Sequence, residues 1–123
     1  MKVHHVSEQA AVSGGHEYFL GEVQVQPVVA PGEGLDIVVV RFSPGSRTYL
    51  HTHEVAQALH CLEGKGVLAT ETDRHEVGPG DIVHIPAGEL HWHGAAPDSP
   101  FVHLSIRAPG ASHWTRRDPL AGG

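Results

Sequence analysis

Turn-forming residues interrupt this chain at short intervals, and this pattern limits its fold more than any other feature. Fifteen glycines and nine prolines are spread over 123 residues, and turn signals such as SPGS, EGKG, GPGD and PAGE separate short runs of strand-forming residues. The predicted strands cover residues 18–20, 23–29, 35–42, 47–53, 57–62, 66–70, 75–77, 81–85, 90–94 and 101–107. Because short strands must close on themselves or pack in layers to cover their edges, the pattern predicts an all-β barrel or sandwich.

The length and charge of the chain exclude several classes of protein. We expect one domain, with a barrel over about residues 17–107 between an N-terminal arm, 1–16, and a C-terminal tail, 108–123, that is loosely held at its end. The net charge is −6 and the basic residues are scattered, which argues against a nucleic-acid partner. The longest apolar run, residues 37–40, is far too short to cross a membrane. Cys61 is the only cysteine, so no internal disulfide can form, and a cytoplasmic location is expected.

Two histidines in the stretch HTHEVAQ, His51 and His53, are separated by one residue. Alternate side chains of a strand share a face and lie roughly 6.6 Å apart along the backbone. Both imidazoles can therefore reach one ion at about 2.0–2.1 Å. Gln57 offers an oxygen after a short bend, and His91 follows the tight turn in IPAGELH. This combination of residues predicts a metal site.

The spacing of these residues resembles the two motifs of the cupin superfamily. The first, G-x5-H-x-H-x3-4-E-x6-G, is matched by Gly45, His51, His53, Gln57 and Gly64, and the second, G-x5-P-x-G-x2-H-x3-N, by Gly80, Pro86, Gly88 and His91. The resemblance implies a small jelly-roll β-barrel that holds one divalent metal on three histidines and a fourth ligand. The chain departs from the motifs at two positions, where Gln57 replaces Glu and Ala95 replaces Asn.

The glutamine changes the chemistry that we expect of the metal. Three imidazoles and an amide are all neutral, so the ion keeps its full +2 charge, which a glutamate would lower to +1. Such an ion is a stronger Lewis acid, lowers the pKa of a bound water or alcohol further, and reaches higher oxidation states less readily. Mixed nitrogen and oxygen ligation suits several metals. Manganese is our first expectation, with iron, nickel, cobalt and zinc as alternatives.

A narrower resemblance connects the chain with bacterial manganese-dependent hydroxynitrile lyases of the cupin fold. The similar stretches are SPGSRTYLHTHEVAQ and GPGDIVHIPAGELHWHGAAPDSPFVHLSI and, more weakly, EYFLG and the HW pair at 113–114. In those enzymes three histidines and a glutamine hold the metal, which implies the same role for His51, His53, Gln57 and His91. In those enzymes the metal also holds the cyanohydrin oxygen, and a nearby histidine accepts its proton while cyanide leaves.

The parity of the remaining strand residues indicates which of them face the metal. His103 on the late strand FVHLSIR is a candidate catalytic base, and His93 is the alternative base or a residue that orients a ligand. A mostly apolar wall suits a small organic substrate. The expected pocket residues are Val38, Val40, Phe42, Thr48, Phe101 and Arg107. The similar lyases carry another residue in place of Arg107, which could attract an anion or form an ion pair at the barrel rim.

Three functions fit these features. The favoured one is a metal-dependent lyase or isomerase that acts on a small hydroxy or carbonyl compound. The second is an iron-dependent dioxygenase, and the third is a small-ligand-binding protein without turnover. Trp92 has the opposite parity to His91 and His93, so it is expected to face outward and to contribute to a homodimer or higher homo-oligomer.

Overall fold

The computed structural model describes residues 1–121, and its regular secondary structure is almost entirely antiparallel strand. The strands are β1 (Val12–Ser13), β2 (Phe19–Leu20), β3 (Val23–Val29), β4 (Asp36–Phe42), β5 (Arg47–Thr48), β6 (His51–His53), β7 (Gln57–Gly64), β8 (Gly66–Ala69), β9 (Arg74–Val77), β10 (Ile82–Ile85), β11 (Trp92–Ala95), β12 (Phe101–Arg107) and β13 (Ser112–Trp114). Single 3₁₀ turns lie at Val6–Glu8 and Pro31–Glu33. Among the described residues, no helix has the length and apolar character needed to cross a bilayer.

Two sheets form the barrel. One has the strand order β1-β3-β4-β12-β7-β10, the other has the order β2-β5-β11-β8-β9, and β13 pairs with β6 at one end. Side chains from both sheets meet in one apolar core that includes Phe42, Leu59 and Phe101 from the first sheet and Leu68 and Ala95 from the second. The jelly-roll β-barrel expected from the sequence is therefore confirmed.

Two glycines occupy positions that other residues cannot easily take. Gly64 ends β7 with a φ of 76°, and a Cβ there would overlap the carbonyl oxygen of Pro100. Gly88 has a φ of 81° and donates its N–H to the carbonyl of His53 at 2.8 Å. The second turn therefore attaches the segment that leads to His91 directly to β6.

The strand expected over residues 47–53 is broken at Tyr49 and Leu50. β5 pairs with β2 and β11, whereas β6 pairs with β13. The N–H of Tyr49 donates to Tyr18, and that of Leu50 donates to Arg117. The chain changes hydrogen-bonding partners at this point, so the two histidines of β6 lie outside the second sheet, on a strand that pairs with β13.

Trp92 lies on the outer face of the second sheet, as its parity predicts, but it is covered and does not offer the exposed contact surface that the sequence predicts. Its side chain is 5% exposed and packs with Leu50, Val67 and Ala69 on the outer face of the second sheet. The segment after β13 lies next to this cluster, because Leu50 exchanges backbone hydrogen bonds with Thr115 and Arg117.

The C-terminal segment contacts the barrel at least as far as Asp118. The guanidinium of Arg47 forms two hydrogen bonds with the Asp118 carboxylate, at 2.8 and 2.7 Å. The tail that the sequence predicts is therefore held against the barrel up to this ion pair. Gly122 and Gly123 lie outside the described residues.

Candidate metal centre

Backbone pairing brings three histidines from two segments to one end of the barrel. His51 and His53 alternate on β6 and are 1% and 5% exposed. His91 lies opposite His51 in an isolated antiparallel bridge, with both N–H···O distances at 3.0 Å. The ring centroids of His51 lie 4.2 Å from His91 and 4.9 Å from His53. The histidines of the two sequence motifs therefore converge.

Hydrogen bonds at Nδ1 fix the orientation of these three rings. The Nδ1 of His51 bonds to the carbonyl of Tyr49, and that of His91 bonds to the carbonyl of Glu89, each at 2.8 Å. A carbonyl oxygen only accepts, so both rings carry their proton on Nδ1 and leave Nε2 with a free lone pair. His53 bonds through Nδ1 to the hydroxyl of Ser112 at 2.6 Å, and the Nε2 atoms of His53 and His91 are buried without a partner.

Gln57 is oriented in a similar way by one neighbour. Its Nε2 donates to the hydroxyl of Ser105 on β12 at 2.8 Å, and its Oε1 is buried without a partner. Because the amide N–H₂ is held by Ser105, the oxygen is the atom that remains for a ligand. Gln57 thus offers an unpaired oxygen beside the unpaired nitrogen of His53.

Removing the Ser105 hydroxyl should weaken metal binding without removing a ligand atom. We expect Ser105→Ala to lower the affinity for Mn²⁺ by about tenfold, the lower end of the effect of losing a group that orients a ligand. Competition with a coloured chelator measures this. Ser46→Ala is the matched control, since Ser46 is also buried but bonds to Ser43 in a turn. Equal metal affinities in the two variants would contradict the assigned role.

A pair of buried histidines lies behind these residues. His93 on β11 and His103 on β12 are 5% and 0% exposed, and His93 Nδ1 lies 2.9 Å from His103 Nε2. His93 Nε2 is buried without a partner. Potential ligand atoms of His51, His91 and His93 all lie within 4.8 Å of one another. His93 is therefore a further group close enough to ligate a metal, in addition to the four expected from the sequence.

Burial keeps these histidines neutral at neutral pH. It lowers the pKa of His51 to about 2, with a further lowering from the nearby His91. It likewise lowers the pKa of His53 to about 4 and that of His103 to about 3, and it lowers the pKa values of His91 and His93. Buried neutral imidazoles with unpaired Nε2 atoms, next to an unpaired amide oxygen, fit a divalent transition metal.

A cavity of about 260 Å³ opens beside the histidines. Of the residues predicted to line it, Val38, Val40, Thr48 and Arg107 do so, together with His93 and His103. Phe42 and Phe101 instead lie behind the wall in the apolar core, where each ring contacts that of His103.

Three aromatic residues, Tyr18, Phe19 and Trp114, line the cavity and are not among the predicted site residues. Trp114 on β13 stacks on His51, with ring centroids 3.9 Å apart and planes 13° from parallel, and Tyr18 packs against Trp114. All three residues lie in the weakly similar stretches EYFLG and HW. The signal was therefore present, but the strand that carries Trp114 was predicted to be part of the tail.

Comparisons with known proteins agree with this architecture. The model of the cupin domain family matches residues 38–107. (R)-Mandelonitrile lyase from Granulicella tundricola is 39% identical over 110 residues, covering 87% of this chain and 84% of that protein. Quercetin 2,3-dioxygenase from Bacillus subtilis is 33% identical over 84 residues, covering 64% of this chain and 25% of that protein. The crystal structure of a cupin-like protein from Thermotoga maritima superposes with a TM-score of 0.82 at 33% identity, covering 88% of this chain and 86% of that one.

Proposed function

This chain belongs to the cupin family, and we propose that it is a metal-dependent lyase of the hydroxynitrile-lyase type acting on a small hydroxy or carbonyl compound. The proposal depends above all on one observation: unpaired, neutral nitrogen and oxygen atoms converge at a small cavity that also contains a hydrogen-bonded histidine pair. The similarity to (R)-mandelonitrile lyase over most of both chains supports the same reaction class.

The proposed ligands of the metal are His51, His53, Gln57 and His91. Gln57 Oε1 and the Nε2 atoms of His53 and His91 are buried without a partner, and the Nδ1 hydrogen bond of His51 leaves its Nε2 with a lone pair. All four groups are neutral, so a bound divalent ion would keep its full charge and act as a Lewis acid on a substrate oxygen. Manganese is the proposed metal, ahead of iron, cobalt, nickel and zinc.

The His93–His103 pair is proposed to carry the proton. With His93 donating from Nδ1 to His103 Nε2, His93 Nε2 has a lone pair with which to accept the substrate hydroxyl proton. The carbon–carbon bond then breaks, the hydroxyl carbon becomes a carbonyl, and cyanide takes the bonding electrons and the proton. Burial lowers the pKa of both rings, so the proton is passed on rather than kept.

Cyanide release from mandelonitrile by the manganese-loaded protein tests the proposal. We expect Gln57→Glu to keep the metal and to release cyanide about tenfold or more slowly, because a carboxylate ligand lowers the charge on the ion and hence its Lewis acidity. The rate is followed colorimetrically at equal metal content. Gln24→Glu on the exposed part of β3 is the control and should behave like the wild type.

Two outcomes would contradict the lyase assignment. One is no cyanide release above background by the wild-type protein with a full complement of metal. The other is a Gln57→Glu variant that works as fast as the wild type, because the neutral amide would then have no catalytic consequence.

A dioxygenase is the second candidate, and the similarity to quercetin 2,3-dioxygenase favours it. It predicts oxygen consumption by the Fe²⁺-loaded protein with a phenolic or diketone substrate. We place the dioxygenase below the lyase because the proposed ligands are all neutral, and without a carboxylate ligand the higher oxidation states of iron are harder to reach. A third candidate, a non-enzymatic protein that holds a small ligand, predicts binding without turnover in either assay.

The proposal also includes a cytoplasmic setting and a homodimer or a higher homo-oligomer. Cys61 is buried and its thiol has a pKa raised by burial to about 11, which suits a structural cysteine in a reducing compartment. Trp92, being buried, gives no support to the oligomer.

A further inference from the structure

Arg107 occupies a position at the site for which the proposed reaction assigns no role. It is the last residue of β12, where it pairs in register with Asp36 on β4 on one side and with Gln57 on β7 on the other. Its side chain lines the cavity together with that of Asp36. A guanidinium is therefore fixed on the strand next to one of the proposed metal ligands.

The charge of Arg107 reaches the histidines. Burial is the main cause of the lowered pKa of His53, and the positive charge of Arg107 is the second cause. The same charge also contributes to the lowered pKa of His51. Asp36 balances part of this charge through an ion pair at 3.0 Å, and a second nitrogen of Arg107 donates to the carbonyl of Gly110 at 3.1 Å. The pair is partly exposed, with side chains 18% and 14% accessible.

The charges around the cavity favour an anion. Among the residues that line it, Arg107 and Asp36 are the ionised groups, and the histidines are neutral. A divalent ion on neutral ligands would add two positive charges with no counter-charge. Unbalanced charge in a largely apolar cavity is costly, so a ligand that brings a negative group is favoured over a neutral one.

A second donor lies next to Arg107 on the same face of β12. The Ser105 oxygen accepts a hydrogen bond from Gln57, and its own hydrogen finds no acceptor within residues 1–121. Ser105 also lines the cavity. A guanidinium and a hydroxyl two residues apart form a donor set that matches the two oxygens of a carboxylate.

We propose that Arg107 is the specificity-determining residue of this site and that the native ligand is a small hydroxycarboxylate, whose carboxylate binds Arg107 and the Ser105 hydroxyl. The proposal rests on the proposed function only in that the ligand hydroxyl faces the metal ligands. Asp36 competes with the ligand carboxylate for the guanidinium and so limits its affinity. A neutral hydroxynitrile would add no partner to Arg107, which would keep only its contacts with Asp36 and the Gly110 carbonyl.

Calorimetry with two matched probes tests this inference. Mandelate and mandelamide have the same shape and differ in charge, and each is titrated into manganese-loaded protein whose metal content has been measured. We expect the wild type to prefer mandelate, and Arg107→Gln to lower that preference by about tenfold or more, the effect of losing a charge-assisted hydrogen bond. Asp36→Asn should raise the preference, because it frees the guanidinium.

Controls separate this effect from the metal and from folding. Arg41→Gln changes an exposed arginine of β4 that lies outside the cavity and should leave the preference unchanged. The double variant Asp36→Asn/Arg107→Gln leaves neither charge unpaired, so it keeps the test valid if a single variant folds poorly, and it should resemble Arg107→Gln.

The inference is overturned if the wild type does not prefer mandelate, if Arg107→Gln or the double variant keeps the preference, or if Asp36→Asn lowers it. Cyanide release measured on the same samples separates this result from the lyase proposal. If the protein selects mandelate through Arg107 but releases no cyanide, the inference stands and the lyase assignment fails. If it releases cyanide but does not prefer mandelate, the lyase assignment stands and the inference fails.

Discussion

A His53→Ala variant is expected to lose metal affinity by roughly 100-fold or more, whereas His93→Ala is expected to bind the metal nearly as well as the wild type and to lose turnover. Loss of a ligand should exceed the effect of about 10–100-fold that follows the loss of a group supporting a ligand. The Nε2 of His53 is buried and unpaired, and its Nδ1 is held by Ser112 at 2.6 Å, so this ring is oriented to ligate.

Comparing the His53 and His93 variants matters because the geometry also permits a ligand set in which His93 takes the place of His53. The potential ligand atoms of His51, His91 and His93 lie within 4.8 Å of one another. We assign His93 to proton transfer because its Nδ1 bonds to His103, a second titratable ring that can take up the proton. His53 has no such partner, since Ser112 offers only a hydroxyl.

Chelator competition with Mn²⁺ measures the affinities, and cyanide release measures turnover. His84→Ala on the exposed side of β10 is the control and should match the wild type in both assays. If His93→Ala loses the metal while His53→Ala keeps it, the ligands are His51, His91 and His93, and the proton must be handled by another group.

Local patterns were sufficient to predict most of the barrel. Glycine and proline turns delimit strands, and alternation within a strand puts His51 and His53 on one face, because both effects depend on neighbouring residues only. The same reasoning gave the inward parity of His103 and Arg107 on β12. The two motifs placed Gln57 and His91 on separate segments, and the backbone bridge between His51 and His91 brings those segments together.

Features that depend on long-range pairing could not be predicted from local patterns. The strand break at Tyr49 arises from hydrogen bonds to residues far away in the sequence, at Tyr18 and Arg117. β13 is only three residues long, and it is a strand because it pairs with β6. Trp92 has an outward parity, but the segment after β13 lies next to the cluster that contains it. The features that the sequence did not predict therefore all involve the C-terminal segment or the strand break at Tyr49 and Leu50, which this segment covers.

The metal-free protein is expected to lose stability steeply as the pH falls from about 6.5 to 4.5. The unfolded chain binds protons on its histidines near pH 6.5, whereas burial lowers the pKa of His51 to about 2 and that of His103 to about 3 in the folded state. Below pH 6.5 the unfolded state therefore binds more protons, so the stability is fully present above that pH and is lost on acidification.

The expected loss is comparable with the whole stability of a small domain. Two pH units below the unfolded pKa, each of the two histidines contributes about 2.7 kcal/mol of destabilisation. Together they remove about 5 kcal/mol, the lower end of the usual range for the free energy of unfolding. His53, whose pKa is lowered to about 4, changes stability in the same direction.

Urea unfolding of the metal-free protein at pH 7.5 and at pH 4.5 measures this effect. A divalent ion binds the neutral imidazoles of the folded state, so loading the protein with metal should shift the loss of stability to lower pH. His103→Asn should make the pH dependence shallower by about one proton, because it removes one group with a lowered pKa. His84→Ala, at an exposed position, should not change it. Equal free energies of unfolding at the two pH values would mean that the buried histidines accept protons in the folded state as readily as in the unfolded state, which would contradict their lowered pKa values.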